Sequence, residues 1–248
     1  MPAQYVNWIP ADWPGPGNVH AGSTTRTGGT SQVPYESLNL AMHVGDNNNN
    51  VSNNRQLLIN ELKLPSAPAW LEQQHGCKII NLAESNKIWQ ADGAYTSISK
   101  QICVVLTADC LPLLLCDRDG REVAAIHIGW RGYTKNIIAA AINTFSQPPK
   151  NLLAWVGPCI SAENYEIGEE VRRVCLLVNE ESADAFTPSG KDHWFADLQL
   201  LIRLQLRKCG LNSVFGGQYC TYRDKELFYS YRRDGITGRT ASMIWMDS

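Results

Sequence analysis

The sequence predicts one mixed α/β domain, and three observations carry that expectation. Short apolar runs bounded by turn residues recur along the chain and read as strands. Longer stretches near residues 51–64, 134–145 and 197–209 carry helical signals. No linker or internal repeat divides the chain between residues 19 and 245, and the elements alternate without a regular βαβ rhythm.

Taken in order, residues 1–18 contain prolines at 10, 14 and 16 and read as an extended lead-in. Val19–Thr25 follows as a strand running into the turn Arg26-Thr27-Gly28-Gly29. The polar run Asn47–Asn50 approaches a helix, in which Val51, Leu57, Leu58 and Leu62 partly follow helical spacing. Strand signals then come at Lys78–Leu82, Ile102–Ala108, Leu111–Cys116 and Glu122–Ile128. Thr134–Phe145, rich in Ala and Ile, predicts a helix stopped before Pro148, and Leu152–Val156 predicts another strand. Asp197 is placed to cap a helix through Cys209, with Gly210 as its stop. Leu227–Tyr231 and Thr240–Trp245 read as strands around the turn Asp234-Gly235.

A length of 248 residues suits one large domain or two small ones, and 44% hydrophobic with 19% charged residues supports a sizeable core. The net charge of −2, from 22 basic and 24 acidic residues, disfavours nucleic acid or an anionic membrane as the main partner. Apolar stretches such as Ile102–Leu106 and Leu111–Cys116 fall well short of the ~20 residues a membrane helix needs. The opening MPAQYVNWIPADWPGPG has neither the basic start nor the apolar run of a secretory signal, so a cytoplasmic location is expected. In that setting the eight cysteines are expected to remain thiols, with Cys103 and Cys116 in the core. No CxxC pair occurs, which argues against a zinc ribbon or a thioredoxin-type site. No hydrophobic heptad marks an interface, and the sequence assigns no oligomeric state.

The chemistry concentrates at strand ends. His127 closes the apolar strand of VAAIHIGWRG and meets glycines at 129 and 132. Glycine there lets backbone approach a ligand closely. Cys110 sits where VVLTADCLP leaves another apolar run, and His75 lies in WLEQQHGCK beside Gly76. Each of the three, alone, reads more readily as a hydrogen-bonded or buried structural group, Cys110 most of all, and spacings of 35 and 17 residues match no local metal motif. Together, two neutral imidazoles and a thiolate make a three-ligand set suited to zinc, with a fourth position left for water. Zinc lowers the pKa of such a water to about 7. Asp109, beside Cys110, is the candidate to orient a ligand histidine, although neighbouring strand residues face opposite ways.

The segments STTRTGGTS (23–31), ESLNLAMHVGD (36–46), NNR (53–55), LEQQHG (71–76), TADCLP (107–112), HIGWRG (127–132), GPCIS with NYEIG (157–168) and FYSYRRDGITGR (228–239) together resemble the YfiH-like family. That family also carries the names laccase domain, multicopper polyphenol oxidase, purine nucleoside phosphorylase and peptidoglycan editing factor. The resemblance spans about residues 19–245, with every motif in order. It implies a single layered α/β/β/α domain, residues 1–248, related to a group of cysteine hydrolases. It also implies that His75, Cys110 and His127 are both the metal ligands and the catalytic trio. One departure is Ile128, where the family usually has Ala; beside His127 it could narrow the pocket without removing any chemistry.

The family's names imply different reactions. A multicopper oxidase needs many more histidines, often as His-x-His pairs, than the five present at 20, 43, 75, 127 and 193, none of them so paired. Copper could still replace zinc at a mononuclear site, since Cu(II) binds such ligands more tightly. The resemblance points instead to phosphorolysis of adenosine, inosine, guanosine and methylthioadenosine, with deamination of adenosine. Its partners would then be small molecules, a nucleoside and phosphate. Phosphate needs a cation, and Arg131 in its Gly-flanked turn and Arg26 beside Gly28-Gly29 are the candidates. His43, in LNLAMHVGD, is a further substrate-binding candidate, while Arg232 and Arg233 could equally pair with nearby carboxylates. A second reading makes Cys110 a nucleophile with His127 as its base, in a hydrolase that removes a wrongly added amino acid from a UDP-muramyl precursor. A third is a non-catalytic binding module.

Overall fold

The computed structural model describes residues 5–84 and 89–248, so the first four residues of the predicted lead-in lie outside it. In chain order the described elements are β1 (Trp8–Pro10), β2 (Val19–Thr24), α1 (Asn48–Glu61), β3 (Ile79–Asn81), β4 (Gly93–Thr96), β5 (Cys103–Thr107), β6 (Leu111–Asp117) and β7 (Val123–Ile128). They continue with α2 (Trp130–Thr134), α3 (Ile137–Ile142), β8 (Leu152–Val156), β9 (Glu166–Gly168), α4 (Glu169–Val178), β10 (Phe186–Gly190) and β11 (His193–Ala196). The last are α5 (Leu198–Lys208), β12 (Val214–Gly216), α6 (Tyr231–Asp234) and β13 (Thr240–Met246).

Two large sheets face each other. One has the order β12-β8-β6-β7-β4-β3, parallel only at its two outer pairs; the other, β1-β2-β13-β5, is antiparallel throughout. Strand alternation sorts their side chains between layers. In β6, Leu111, Leu113 and Leu115 pack with the helical layer of α3, α4 and α5, while Leu114 and Cys116 pack between the sheets. In β5, Cys103 and Val105 fill that inter-sheet core, and Val104 and Leu106 turn outward to Leu58 of α1. The result is an α/β/β/α stack, which explains why β5 to β8 read as unbroken apolar runs: strands buried on both faces have no solvent face to alternate with. A small third sheet, β10-β11-β9, carries the segment around Tyr165.

Several sequence expectations need correction. The lead-in contains β1, whose register Trp8↔Thr24 to Pro10↔Gly22 places it on the sheet edge, where a proline's missing N–H is tolerated. The predicted helix Thr134–Phe145 is reduced to α3: Thr134 ends the separate helix α2, and Asn136, at φ 61°, breaks the chain before Ile137. Leu227–Tyr231 is not a strand: Phe228 and Tyr229 are buried as irregular chain, and Ser230 caps α6 by accepting from the Arg233 N–H. Apolar runs signal burial, and burial here needs no ladder. Asp197 does cap α5, accepting from Leu200 N at 2.9 Å. Among the described residues no helix is long and apolar enough to cross a membrane.

Candidate active site

The chain crosses from one sheet to the other between β5 and β6, and Cys110 stands in that crossing. It opens on a cleft of about 470 Å³ lined by, among others, His75, Cys110, His127, His43, Arg131 and Arg239. His127 comes from the end of β7, next to β6, with the register Pro112↔His127. The His75 loop reaches the same place because Gln73 is tied to β5: its side chain accepts from Leu106 N at 2.7 Å and donates to Leu106 O at 2.8 Å. The ligand atoms of His75, Cys110 and His127 all lie within 4.8 Å of one another, and His75 Nε2 is 3.9 Å from Cys110 Sγ.

The organising group is Asp92, which the sequence reading missed. Its carboxylate is 1% exposed. Oδ1 accepts from His127 Nδ1 at 2.8 Å and from His75 N at 2.9 Å, and Oδ2 accepts from Gly76 N at 2.6 Å and Gln74 N at 3.2 Å. One carboxylate thus holds both histidines, one through its ring and one through its backbone, and leaves His127 Nε2 as the free ring nitrogen. His75 itself is at φ 55°, a left-handed conformation that this clamp maintains. Asp92 precedes β4, whose four residues Gly93-Ala94-Tyr95-Thr96 are too few for a periodic signal; an acid just ahead of Gly93 was the available hint.

Asp109 takes a different part from the one expected. It does not touch a histidine. Its Oδ1 accepts from Thr221 Oγ1 at 2.6 Å and its Oδ2 from Arg232 N at 2.6 Å, pinning a residue at φ 100°. This anchors the bend that presents Cys110. Gly129 makes the room: a Cβ there would stand 3.0 Å from Cys110 Sγ and 3.2 Å from His75 Cδ2.

Electrostatics sets the thiol apart. Burial alone would raise Cys110, but the adjacent His127 charge and hydrogen bonds from His127 and His75 outweigh it and bring the thiol down to about 6. Burial disfavours the His127 imidazolium, yet the Cys110 thiolate and the Asp92 carboxylate hold it up to about 9. Without a metal, Cys110 and His127 therefore form a thiolate–imidazolium pair near neutral pH. The two nitrogens and one sulfur also fit a divalent ion of borderline softness. Loading such an ion requires His127 to give up its Nε2 proton.

The remaining candidates separate. His43 and Arg131 line the cleft, with the Arg131 guanidinium 4.4 Å above the Trp130 ring. Arg26 does not reach it: Arg26 borders a separate depression and donates to the Glu36 and Lys225 carbonyls. Arg233 is paired with Asp234 at 2.7 Å, as the sequence allowed, whereas Arg232 lines the cleft and donates to the Glu166 carbonyl. Ile128 does not narrow the pocket, because its side chain points into the helix-side core. Arg239, Tyr165 and Tyr231 join the lining without having been singled out as site residues.

The profile of the family described as multi-copper polyphenol oxidoreductase laccase matches residues 20–247. The purine nucleoside phosphorylase YfiH of Escherichia coli strain K12 is 45% identical over 239 residues, covering 96% of this chain and 98% of that one. A purine nucleoside phosphorylase of Haemophilus influenzae is 40% identical over 241 residues, covering 96% and 99%. Among solved structures, a Neisseria meningitidis protein superposes with a TM-score of 0.94 at 44% identity, covering 98% of this chain and all of that one (100%). YlmD from Geobacillus stearothermophilus gives 0.89 at 26% identity, covering 97% and 96%. With the ordered motifs, the fold and the relatives in agreement, the chain belongs to the YfiH-like, laccase-domain family.

Proposed function

We propose that this chain is a purine nucleoside enzyme that carries out phosphorolysis of adenosine, inosine, guanosine and methylthioadenosine, and deamination of adenosine. The observation that carries the reading is the His75–Cys110–His127 cluster facing a cleft lined with both aromatic rings and guanidinium groups. The names of the relatives support the phosphorylase part. Trp130, Tyr165 and Tyr231 offer faces for a purine, and the arginines offer charge for phosphate.

In phosphorolysis a phosphate oxygen bonds to the ribose C1′ as the C1′–N9 bond breaks. The electron pair leaves on the purine, which takes up a proton. In deamination a water oxygen adds at C6 and ammonia departs. The chain's own residues orient these reactants and manage protons: Asp92 fixes the His127 ring, so that Nε2 can give or take a proton beside Cys110 Sγ. His75, Cys110 and His127 would hold zinc, or copper in its place, and such an ion supplies Lewis acidity at an open coordination position. The only grouping of three or more metal-binding side chains among the described residues is this mononuclear one, which weighs against a multicopper oxidase.

The reading is tested by assaying phosphorolysis of inosine and deamination of adenosine by product chromatography, with metal content measured on the same sample. Both activities are expected, and both should disappear in Cys110→Ala. A second reading is favoured by one observation, the buried Asp92 bonded to His127 beside a low-pKa thiol, which is the layout of a cysteine hydrolase. Lack of nucleoside turnover, with rapid alkylation of Cys110 and parallel loss of hydrolysis of a mis-charged UDP-muramyl amino acid, would transfer the assignment to peptidoglycan-precursor editing.

A further inference from the structure

The cleft has two walls of different character. One carries the His–Cys–His cluster. The other is formed where β13 begins beside the loop that follows Leu40, and it presents Arg239 and His43. A single amide ties Arg239 to the chain that leads into His43: Asn39 Oδ1 accepts from Arg239 N at 3.0 Å and from Ala41 N at 3.0 Å, and Leu40 N donates to Arg239 O. Asn39 is fully buried and donates in turn to Asp46, which also accepts from Ser31 Oγ at 2.6 Å. Behind His43, Arg55 donates through Nε and Nη2 to Leu40 O and lies 4.0 Å over the Trp70 ring. The motif residues of 23–55 that have no part in the cluster thus build a rigid mount for this wall.

Arg239 is unusual on that mount. Its Nη1 donates to the Thr237 and Gly238 carbonyls, while among the described residues it forms no ion pair with any carboxylate. A second guanidinium, Arg55, lies close enough for its charge to act on His43, as does Arg239. The Cys110 thiolate and Asp109 act on the Arg239 charge from a distance, but neither Arg239 nor Arg55 is in an ion pair among the described residues, so the wall keeps a positive potential that a bound anion would stabilise. Asp109, the carboxylate that borders the cleft, is already occupied by Thr221 and Arg232.

We propose that Arg239 and His43 form an oxyanion subsite for inorganic phosphate, on the wall facing the His75–Cys110–His127 cluster. The assignment rests on the phosphorolysis reading for its ligand. It moves the principal phosphate contact from Arg131, which lies over Trp130 and is exposed, to Arg239, whose backbone is tied to buried Asn39 and whose guanidinium is held by the Thr237 and Gly238 carbonyls. Arg239 supplies the charge and His43 a directional ring N–H, with Arg55 adding positive potential from behind.

The test is titration of inorganic phosphate, followed by calorimetry and ³¹P NMR, into the metal-loaded wild type and into Arg239→Gln, Arg239→Lys, His43→Ala and Arg131→Gln. Arg239→Gln is expected to weaken phosphate binding about ten- to a hundredfold, with Arg239→Lys between it and wild type. His43→Ala, an exposed position that should leave folding intact, is expected to weaken it several-fold. The KM for phosphate should rise in the same order while the KM for inosine stays put. Unchanged phosphate affinity in both Arg239→Lys and His43→Ala, or loss only in Arg131→Gln, overturns the subsite, as does a wild type that binds no phosphate at millimolar concentration. Arg239-dependent phosphate binding without any ribose 1-phosphate formed would leave the subsite standing and remove the phosphorolysis reading instead.

Discussion

Cys103 begins β5 and Cys110 lies seven residues on, past the end of that strand, and their surroundings give them opposite chemistry. Cys103, at 0% exposure between the two sheets, meets apolar side chains and its neighbours' carbonyls; burial pushes its thiol far up, and Cys116 nearby is pushed up to about 12. Cys110 is just past the end of the same strand, where the chain leaves one sheet for the other and two histidines converge. Burial acts on it as well, but charge and hydrogen bonding win. What distinguishes an inert thiol from a reactive one is therefore its place in the fold: the crossing past the end of β5, where His127 of β7 and His75 of the neighbouring loop meet Cys110, against the apolar core between the sheets that encloses Cys103.

The sharpest way to break this comparison is to exchange the sulfur at each place. Cys110→Ser, like His75→Ala or His127→Ala, should lose metal-binding capacity and the proposed nucleoside turnover while the thermal melt stays close to wild type. Retained metal in all three would show the cluster misassigned. Cys103→Ser should do the reverse, costing about 1–3 kcal/mol of stability for a buried hydroxyl while leaving metal content and kcat unaltered.

Asp92 offers an intermediate effect, because it acts only through the groups it holds. Asp92→Asn should lower metal affinity by about 10–100-fold, as expected when a residue orienting a ligand histidine is removed. Competition with a chelating dye would measure it, and wild-type affinity in this variant would deny Asp92 its positioning role. The same substitution removes the carboxylate that helps hold His127 protonated, so the Cys110 thiol should titrate at higher pH.

The finest distinction is kinetic. In metal-free wild type, alkylation of Cys110 by iodoacetamide should rise through a midpoint near pH 6, because the thiolate is the reacting form and its pKa is depressed. Mass spectrometry should find Cys103 and Cys116 unmodified throughout. A Cys110 midpoint near the ordinary thiol value of about 8.5 would mean that His127 does not support the thiolate.

Much of the architecture was legible because it rests on local signals. The runs Leu111–Cys116 and Leu152–Val156 read as strands since each is buried on both faces, and Asp197 announced α5 since capping depends on the residue and the next turn alone. Of the elements that escaped, β4 (GAYT) and β9 (EIG, held in place by β11) have weak local signals, whereas α4 carries an amphipathic pattern, with Val171 and Cys175 buried, that the sequence reading passed over. Leu227–Tyr231 misled in the other direction, as its apolar residues are buried without joining a sheet.

His75, Cys110 and His127 could be named from their motifs and their places at strand ends, and with them the class of ion or reaction they suit. Motif and residue type go that far, since two imidazoles and a thiol make a possible ligand set, but whether a given cysteine is an inert thiol or a thiolate depends on its surroundings. Everything that depends on convergence was decided by the tertiary structure. It took the crossing between β5 and β6, and the clamp of the 73–76 loop onto β5 and Asp92, to bring residues 35 positions apart within bonding reach of one ion. The same packing carried Arg26 away from the cleft, turned Ile128 into the core and replaced Asp109 with Asp92 as the partner of His127. Direction in space follows from which strands become neighbours, and a one-dimensional spacing does not contain it.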